Sequence, residues 1–434
     1  MADRIGGTVE SSCGEADTVT VIADLGREAR FMLRDGALVL WLFVVLCFSS
    51  FAVLSGMFEV RQQRESIVFL LDADQRDRST ELSKQSDWGS AAYYSFHLTY
   101  DPPSNFAFAA MGQRDASSWK HRLRMLALEG QIYEHDPGNP ELALIGRFDF
   151  SFFAAFVLPL VLILVLYDLQ ASERSAGRIN LLIASAHDGG SLWWRRALPR
   201  SGGILLAAAV PLFAAGAFSG AGFGTLLAAL VMLALYVSFW TLICLWLARW
   251  TRPAPVILAA LVGVWVMLST VLPAGSRTVI DAMVPIPAGA DILMTQREAV
   301  NDAWDLPVEV TMRPFAERHS EWANYAHSGD GFDWGWYYAF QQVGDQTVEA
   351  LSQAHTAGRV ERERLADWFA IAAPPALLHR RLQALAGTDM SSVIAYENKV
   401  RDFHSELRTY YYPGLFGDIP FHPDRLSDLP QYSP

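Results

Sequence analysis

Cysteine is scarce in this chain, with only Cys13, Cys47 and Cys244 among 434 residues. Cys13 precedes the first long apolar run and the other two lie inside such runs. No disulfide framework is therefore expected to hold the polar stretches between them. The apolar runs also lack ionisable side chains in their cores. Residues of that kind inside a span mark proton relays and ion paths. Their absence argues against an ion-coupled pump, and the energy for any movement would come from outside the chain. The net charge of −12 gives no support to nucleic-acid binding. No GxxxxGK[ST] loop, HExxH pair, paired-cysteine zinc motif or GxSxG elbow is present. An enzyme is not expected. His319, Glu321 and His327 lie close in sequence, but their spacing fits no standard metal set, and exposed loop polarity explains them better.

Hydrophobic residues make up 52% of the chain and gather into five runs, at residues 36–58, 150–167, 203–218, 225–248 and 255–272. A bilayer needs about 20 residues per helix, so 203–218 is the least secure. The expected fold is mainly α: a polytopic membrane protein with about five transmembrane helices and two mostly helical extracytoplasmic domains. Arginines near span ends set the orientation. Arg27, Arg30 and Arg34, then Arg174, Arg178, Arg195, Arg196 and Arg200, then Arg249 and Arg252, belong on the cytoplasmic side. Residues 59–149 and 273–434 then lie opposite, with the N-terminus cytoplasmic and the C-terminus periplasmic. The first run begins well inside the chain and has no small-residue cleavage pattern, so it reads as an anchor.

Residues 1–20 are small and polar, a composition that favours disorder. Residues 21–35 set Ile22, Leu25, Met32 and Leu33 against Asp24, Arg27, Arg30 and Arg34, the pattern of an interfacial amphipathic helix. Val60 to Gln85 continues the first span as a helix with an apolar stripe at Ile67, Leu70, Leu71 and Leu82. Turn chemistry follows at Asp101-Pro102-Pro103-Ser104, then a helical patch in SWKHRLRMLALEG, then a loop at residues 136–140. In the second exported segment the pattern predicts helices over 341–370, 375–386 and 391–410, the first two interrupted at Pro374-Pro375. Its many aromatics suit small cores or the membrane interface. Pro159 and Pro211 predict kinks inside spans. Gly216, Gly220 and Gly224 recur every four residues. They read either as close helix packing at a subunit interface or as a tolerant hairpin turn.

The sharpest change of composition is at the end of the second span, where the apolar run stops at Asp168. A charged knot follows, Glu173-Arg174 then Gly177-Arg178, and an apolar patch at Ile179, Leu181, Leu182 and Ile183. This segment, residues 168–202, reads either as a short docking helix at the cytoplasmic surface or as a solvated loop.

The stretch YDLQASERSAGRINLLIASA resembles the ABC-2 type transporter permeases, whose second span commonly ends in an aspartate, a Glu-Arg-x-x-Gly-Thr segment and a Leu-rich helix. Asp168, Glu173, Arg174 and Gly177 match by position, and Arg178 stands where the family usually has threonine. The helix before the first span, GRFDF, DPPSNFAFAAMGQRD and LLHRRLQALAGTD with the following tyrosines are similar to one subclass. That subclass has two large extracytoplasmic insertions and no assigned function. Such permeases typically have six spans against the five counted here. Either the subclass dispenses with the sixth, or the exported C-terminal region folds back on the membrane surface.

The resemblance implies a permease subunit in a bacterial inner membrane. It implies two ABC ATPase subunits as separate chains, which bind ATP and Mg, and a second permease subunit, identical or homologous. Asp168, Glu173, Arg174, Gly177 and Arg178 would form the ATPase-coupling surface. No cofactor is expected in this chain; membrane lipid and a periplasmic partner are. The alternative expectation is a membrane-anchored scaffold or mechanical signalling subunit that performs no transport.

Overall fold

The computed structural model describes residues 25–134, 148–185, 191–325, 332–417 and 419–434. Five helices are long and apolar enough to cross a membrane: Gly36–Leu82, Phe150–Ser175, Leu192–Ser219, Phe223–Ala248 and Ala254–Met283. The chain is a mainly α, membrane-embedded protein, and the strands among the described residues form one antiparallel pair. The tail at residues 1–20 lies outside the described residues, as do Ile22, Asp24 and His327.

Helix α1 (residues 25–34) stops at Asp35. There the carboxylate accepts from the Ala37 amide at 3.0 Å and caps α2 (Gly36–Leu82). At 47 residues, α2 is about 70 Å long by helical rise. Its first half crosses the bundle and its second half stands outside it, as the stripe from Ile67 to Leu82 predicts.

Between the first and second spans, α3 (Trp88–Tyr94), strands β1 (His97–Tyr100) and β2 (Lys120–Leu123), and α4 (Leu128–Tyr133) follow. The helical patch expected in SWKHRLRMLALEG is thus split. Its first part pairs as a strand, His97 opposite Leu123, because His121 and Leu123 alternate inward with Lys120 and Arg122 outward.

The second span enters through Phe150–Phe152, winds through one π turn at Phe153–Val157, and continues as α5 (Leu158–Leu166). It is the central helix: 67% of its apolar window is buried, against 17% for the fifth span. Pro159 has no N–H, so the Ala155 carbonyl four residues back loses its helical donor. The Tyr236 hydroxyl on the fourth span donates to that carbonyl, and Trp265 Nε1 on the fifth donates to Phe156 O at 3.1 Å. Two carbonyls of the π turn are therefore met by side chains from two neighbouring spans. Tyr236→Phe should lower thermal stability in detergent by about 1–2 kcal/mol, read as a fall in melting temperature. An unchanged melt would mean the carbonyl needs no partner.

Beyond α5 come α6 (Ala171–Ser175), α7 (Ile179–Ser185) and α8 (Ser191–Ser219). The third span helix thus begins at Ser191 rather than at residue 203. Arg195, Arg196 and Arg200 lower its hydropathy but are good helix formers. The fourth span is α9 (Phe223–Ala248). The fifth comprises α10 (Ala254–Val266), a π turn at Met267–Val271 and α11 (Leu272–Met283).

The rest of the chain forms α12 (Gly289–Asp302), α13 (Val308–Arg318), α14 (Trp334–Ala370), α15 (Pro374–Ala386) and α16 (Met390–Phe416). The sequence pattern predicts two extracytoplasmic domains, but the two segments pack as one body. Leu82, Trp88, Ala91 and Met125 share a core with Phe315, Tyr338, Phe403 and Tyr411. Trp88 Nε1 donates to Ile419 O and the Tyr338 hydroxyl to Gly89 O, both at 3.0 Å. A two-stranded pair with two short helices cannot bury a core unaided, and the second segment supplies the missing surface.

Candidate functional site

At one end of the bundle the three arginine groups meet. Helix α6 ends in a Schellman turn: Gly177 N donates to Arg174 O and Arg178 N to Glu173 O, both at 3.0 Å. Gly177 closes it at φ +68°, a left-handed backbone that costs other residues about 1–2 kcal/mol. The glycine is there for the turn.

That turn leaves Glu173 and Arg174 facing different neighbours. Glu173 pairs through one oxygen with Arg178 Nε at 2.9 Å and through the other with Arg196 Nη1 on α8 at 3.1 Å. Arg196 Nε in turn lies 3.9 Å from Glu28 on α1. Arg174 donates to Ala248 O at 2.7 Å and to Trp250 O, so it caps the carbonyl end of α9. It also holds Gln170 Oε1 at 3.0 Å. Asp168 lies in the turn before α6; its carbonyl accepts from Ser172 N at 3.0 Å, and its carboxylate attracts Arg200.

The five residues singled out in the knot are thus brought together, engaged mostly with their own chain. They lash the ends of the second, third and fourth spans and α1 into one joint. Arg178 is a partner of Glu173 here. Sequence reasoning noted Glu28 in the entry helix and Arg196 among the arginines but joined neither to the knot, and it missed the two accepting carbonyls. What the joint leaves open to solvent is α7, where Leu181 is 71% and Ile183 46% exposed.

At the opposite end the bundle mouth is filled by the segment Phe106–Met111, which is buried throughout among the spans. Its flanks are tied on every side. Asn105 accepts from Arg64 on α2 at 2.8 Å, and its Nδ2 reaches Gly220 O in the hairpin between the third and fourth spans at 3.2 Å. Ser104 Oγ donates to Ala386 O at 2.6 Å, and Met111 N to Asp149 Oδ2 at 2.8 Å. Helix α15 lies alongside, with Leu378, Leu382 and Ala386 in the same core as the spans. It touches the π turns of both the second and the fifth span.

A partly buried polar chain crosses this mouth. Gln383 Nε2 meets His379 Nε2 at 2.8 Å, His379 Nδ1 meets Ser151 Oγ at 3.0 Å, and Ser151 Oγ donates to Asp149 at 2.8 Å. Burial lowers the His379 pKa and outweighs the pull of Asp149. A neutral imidazole that donates from Nδ1 and accepts at Nε2 satisfies the whole chain. The carboxylate meets the serine rather than the imidazole, so this is not the arrangement of a nucleophile with its base.

The three spaced glycines do not share a packing face within the chain. Gly220 takes φ +73° and ends α8, with Ala221 N donating to Gly216 O at 2.9 Å. A Cβ on Gly216 would meet Leu226 across the hairpin at 2.5 Å, whereas one on Gly224 would meet nothing within 4 Å. Gly216 is where the third span lies close on the fourth, and Gly220 is where the hairpin turns. His319 Nδ1 lies 3.2 Å from Glu321.

Residues 291–434, the last third of the chain from α12 onward, match a family described as a domain of unknown function, DUF3526. No curated protein and no solved structure matches the chain.

Proposed function

We propose that this chain is the membrane-spanning permease subunit of an ATP-driven ABC transporter, seated in a bacterial inner membrane with the arginine end cytoplasmic. ATP and Mg are bound by separate ATPase subunits that dock at α7, and a second permease subunit completes the pathway. The observation that carries this reading is the joint of Glu173, Arg174 and Arg196. A push on α7 is passed through a glycine-closed turn to three spans at once, because their ends share charge-assisted hydrogen bonds.

Leu181→Asp with Ile183→Asp should remove co-purifying ATPase at least tenfold while leaving the melting temperature unchanged, since both side chains are exposed. Gly177→Val should keep the partner bound but lower its ATP turnover in the reconstituted complex. Retained binding and unchanged turnover in both variants would sink the proposal.

One observation favours the second reading, a subunit that passes force without transport. The mouth is filled by Phe106–Met111 and α15, and the second span at its centre is walled by apolar side chains. On that reading the body moves as a lever for a periplasmic partner.

A further inference from the structure

The corner between α14 and α15 carries apolar side chains that the protein itself does not cover. Trp368 is 68% exposed, Ile371 60% and Phe369 38%. In water that cluster would be unfavourable, and its height in the structure gives it another environment.

The height follows from how α14 runs against α11, the outward continuation of the fifth span. His355 bonds Pro287 O at 2.7 Å, Arg362 Nε donates to Val284 O at 2.8 Å, and Arg362 Nη1 pairs with Asp281 at 2.8 Å. Rising numbers on α14 thus meet falling numbers on α11, so α14 descends toward the bundle. Ile371 lies about 13 Å below Arg362 by helical rise. The same number of residues back from Asp281 is Leu272, where the fifth apolar run ends. Helix α15 then packs on the π turn Met267–Val271, inside that span. The corner is level with Leu272, where the fifth apolar run ends.

A cleft of about 480 Å³ opens between α14 and α15 above the corner, lined by Arg364, Arg380 and Arg381 with Glu363, Asp367 and Asp389. Arg380 is held by Glu363 at 2.7 Å and Asp367 at 2.9 Å, whereas the nearest carboxylate oxygen to Arg381 is 3.7 Å away. Guanidinium groups one to three turns above an apolar tip repeat the layering of a phospholipid, phosphate above acyl chain.

The geometry points to a phospholipid as the occupant of this corner: acyl chains lie against Trp368 and Ile371, and the headgroup phosphate is at Arg381 in the cleft. The body is then anchored in the leaflet on its own side of the membrane through α15, the helix that fills the bundle mouth.

The test is photo-crosslinking of the full chain in vesicles of phosphatidylethanolamine and phosphatidylglycerol, with benzoylphenylalanine at Ile371. Val310 on α13, 44% exposed and in the body, is the control position. Lipid adducts by intact mass should be at least tenfold more abundant from position 371 than from 310. Equal lipid labelling at both positions, an adduct to a second copy or another protein at 371, or no adduct there would overturn the proposal. Brominated phosphatidylcholine supplies a second readout that needs no change at 371. The tryptophan fluorescence it quenches should fall by the share of one residue in Trp368→Phe, and an unchanged quenched fraction would also overturn the proposal.

Discussion

Asp345→Ala should destabilise the body by about 3–5 kcal/mol, the range for removing one partner of a buried ion pair. Asp345 accepts from the backbone amides of Leu128 and Glu129 at 2.7 and 3.1 Å, from Gln296 Nε2 at 2.5 Å, and from Arg408. Its side chain is 12% exposed and that of Arg408 16%. Alanine strips the cap from α4 and leaves the Arg408 cation buried without its carboxylate. The adjoining pair, Arg401 with Glu129 at 2.7 Å, shares the α4 amides and is disturbed with it. Asp345→Asn keeps one acceptor and should lose less. Hydrogen exchange at the amides of Leu128 and Glu129, with the melting temperature of the detergent-solubilised chain, checks both variants. Wild-type protection in Asp345→Ala would refute the assignment.

Gly56→Ala should unseat the segment that fills the bundle mouth. A Cβ there would lie 1.9 Å from the Phe108 carbonyl oxygen and 2.8 Å from its carbon. The obstacle is backbone, and Ala107, Ala109, Ala110 and Met111 around it are fully buried, so nothing nearby can yield. Overpacking of a core typically costs about 1–3 kcal/mol, and a backbone obstacle puts this site at the upper end. Limited trypsin digestion reads the result. Arg114 is 6% exposed and held by Asp101 and Gln63, so it is protected while the segment is seated. Gly56→Ala should become cleavable after Arg114, whereas Gly263→Ala, with nothing within 4 Å of its Cβ, should not. Equal resistance in both variants would show that the α2 backbone can shift to make room.

Much of the bundle was legible in the residue order. The five apolar runs coincide with five helices, because the cost of placing a side chain in hydrocarbon is local and accumulates along one helix. The extended α2 was visible in its stripe, and the breaks around Pro374 and Asp389 in their turn chemistry. Boundaries failed where polar side chains sit on a helix, as at Arg195 and Arg196, since hydropathy records composition rather than backbone state. The strand at Lys120–Leu123 was hidden by residues that alternate over only four positions.

The candidate site divides in the same way. Glu173, Arg174 and Gly177 stand within five residues, and the turn that gathers them is a local event that their order encodes. Their partners Arg196 and Ala248, and the Glu28 that Arg196 approaches, come from three other helices, and no local rule selects them. The mouth depended still more on tertiary packing. Ser104 bonds Ala386, and Thr388 Oγ1 donates to Ala110 O at 2.9 Å, across most of the chain.

The sequence by itself determined that this is a membrane protein of about five apolar helices with a charged break after the second. Both are properties of short windows, in which each residue contributes independently of the rest. Only the tertiary structure decided that the two long segments between and after the spans make one body, that Phe106–Met111 and α15 fill the mouth, and that Arg196 joins Glu173. Those outcomes rest on backbone and side-chain groups far apart in the chain finding donors and acceptors they lack locally.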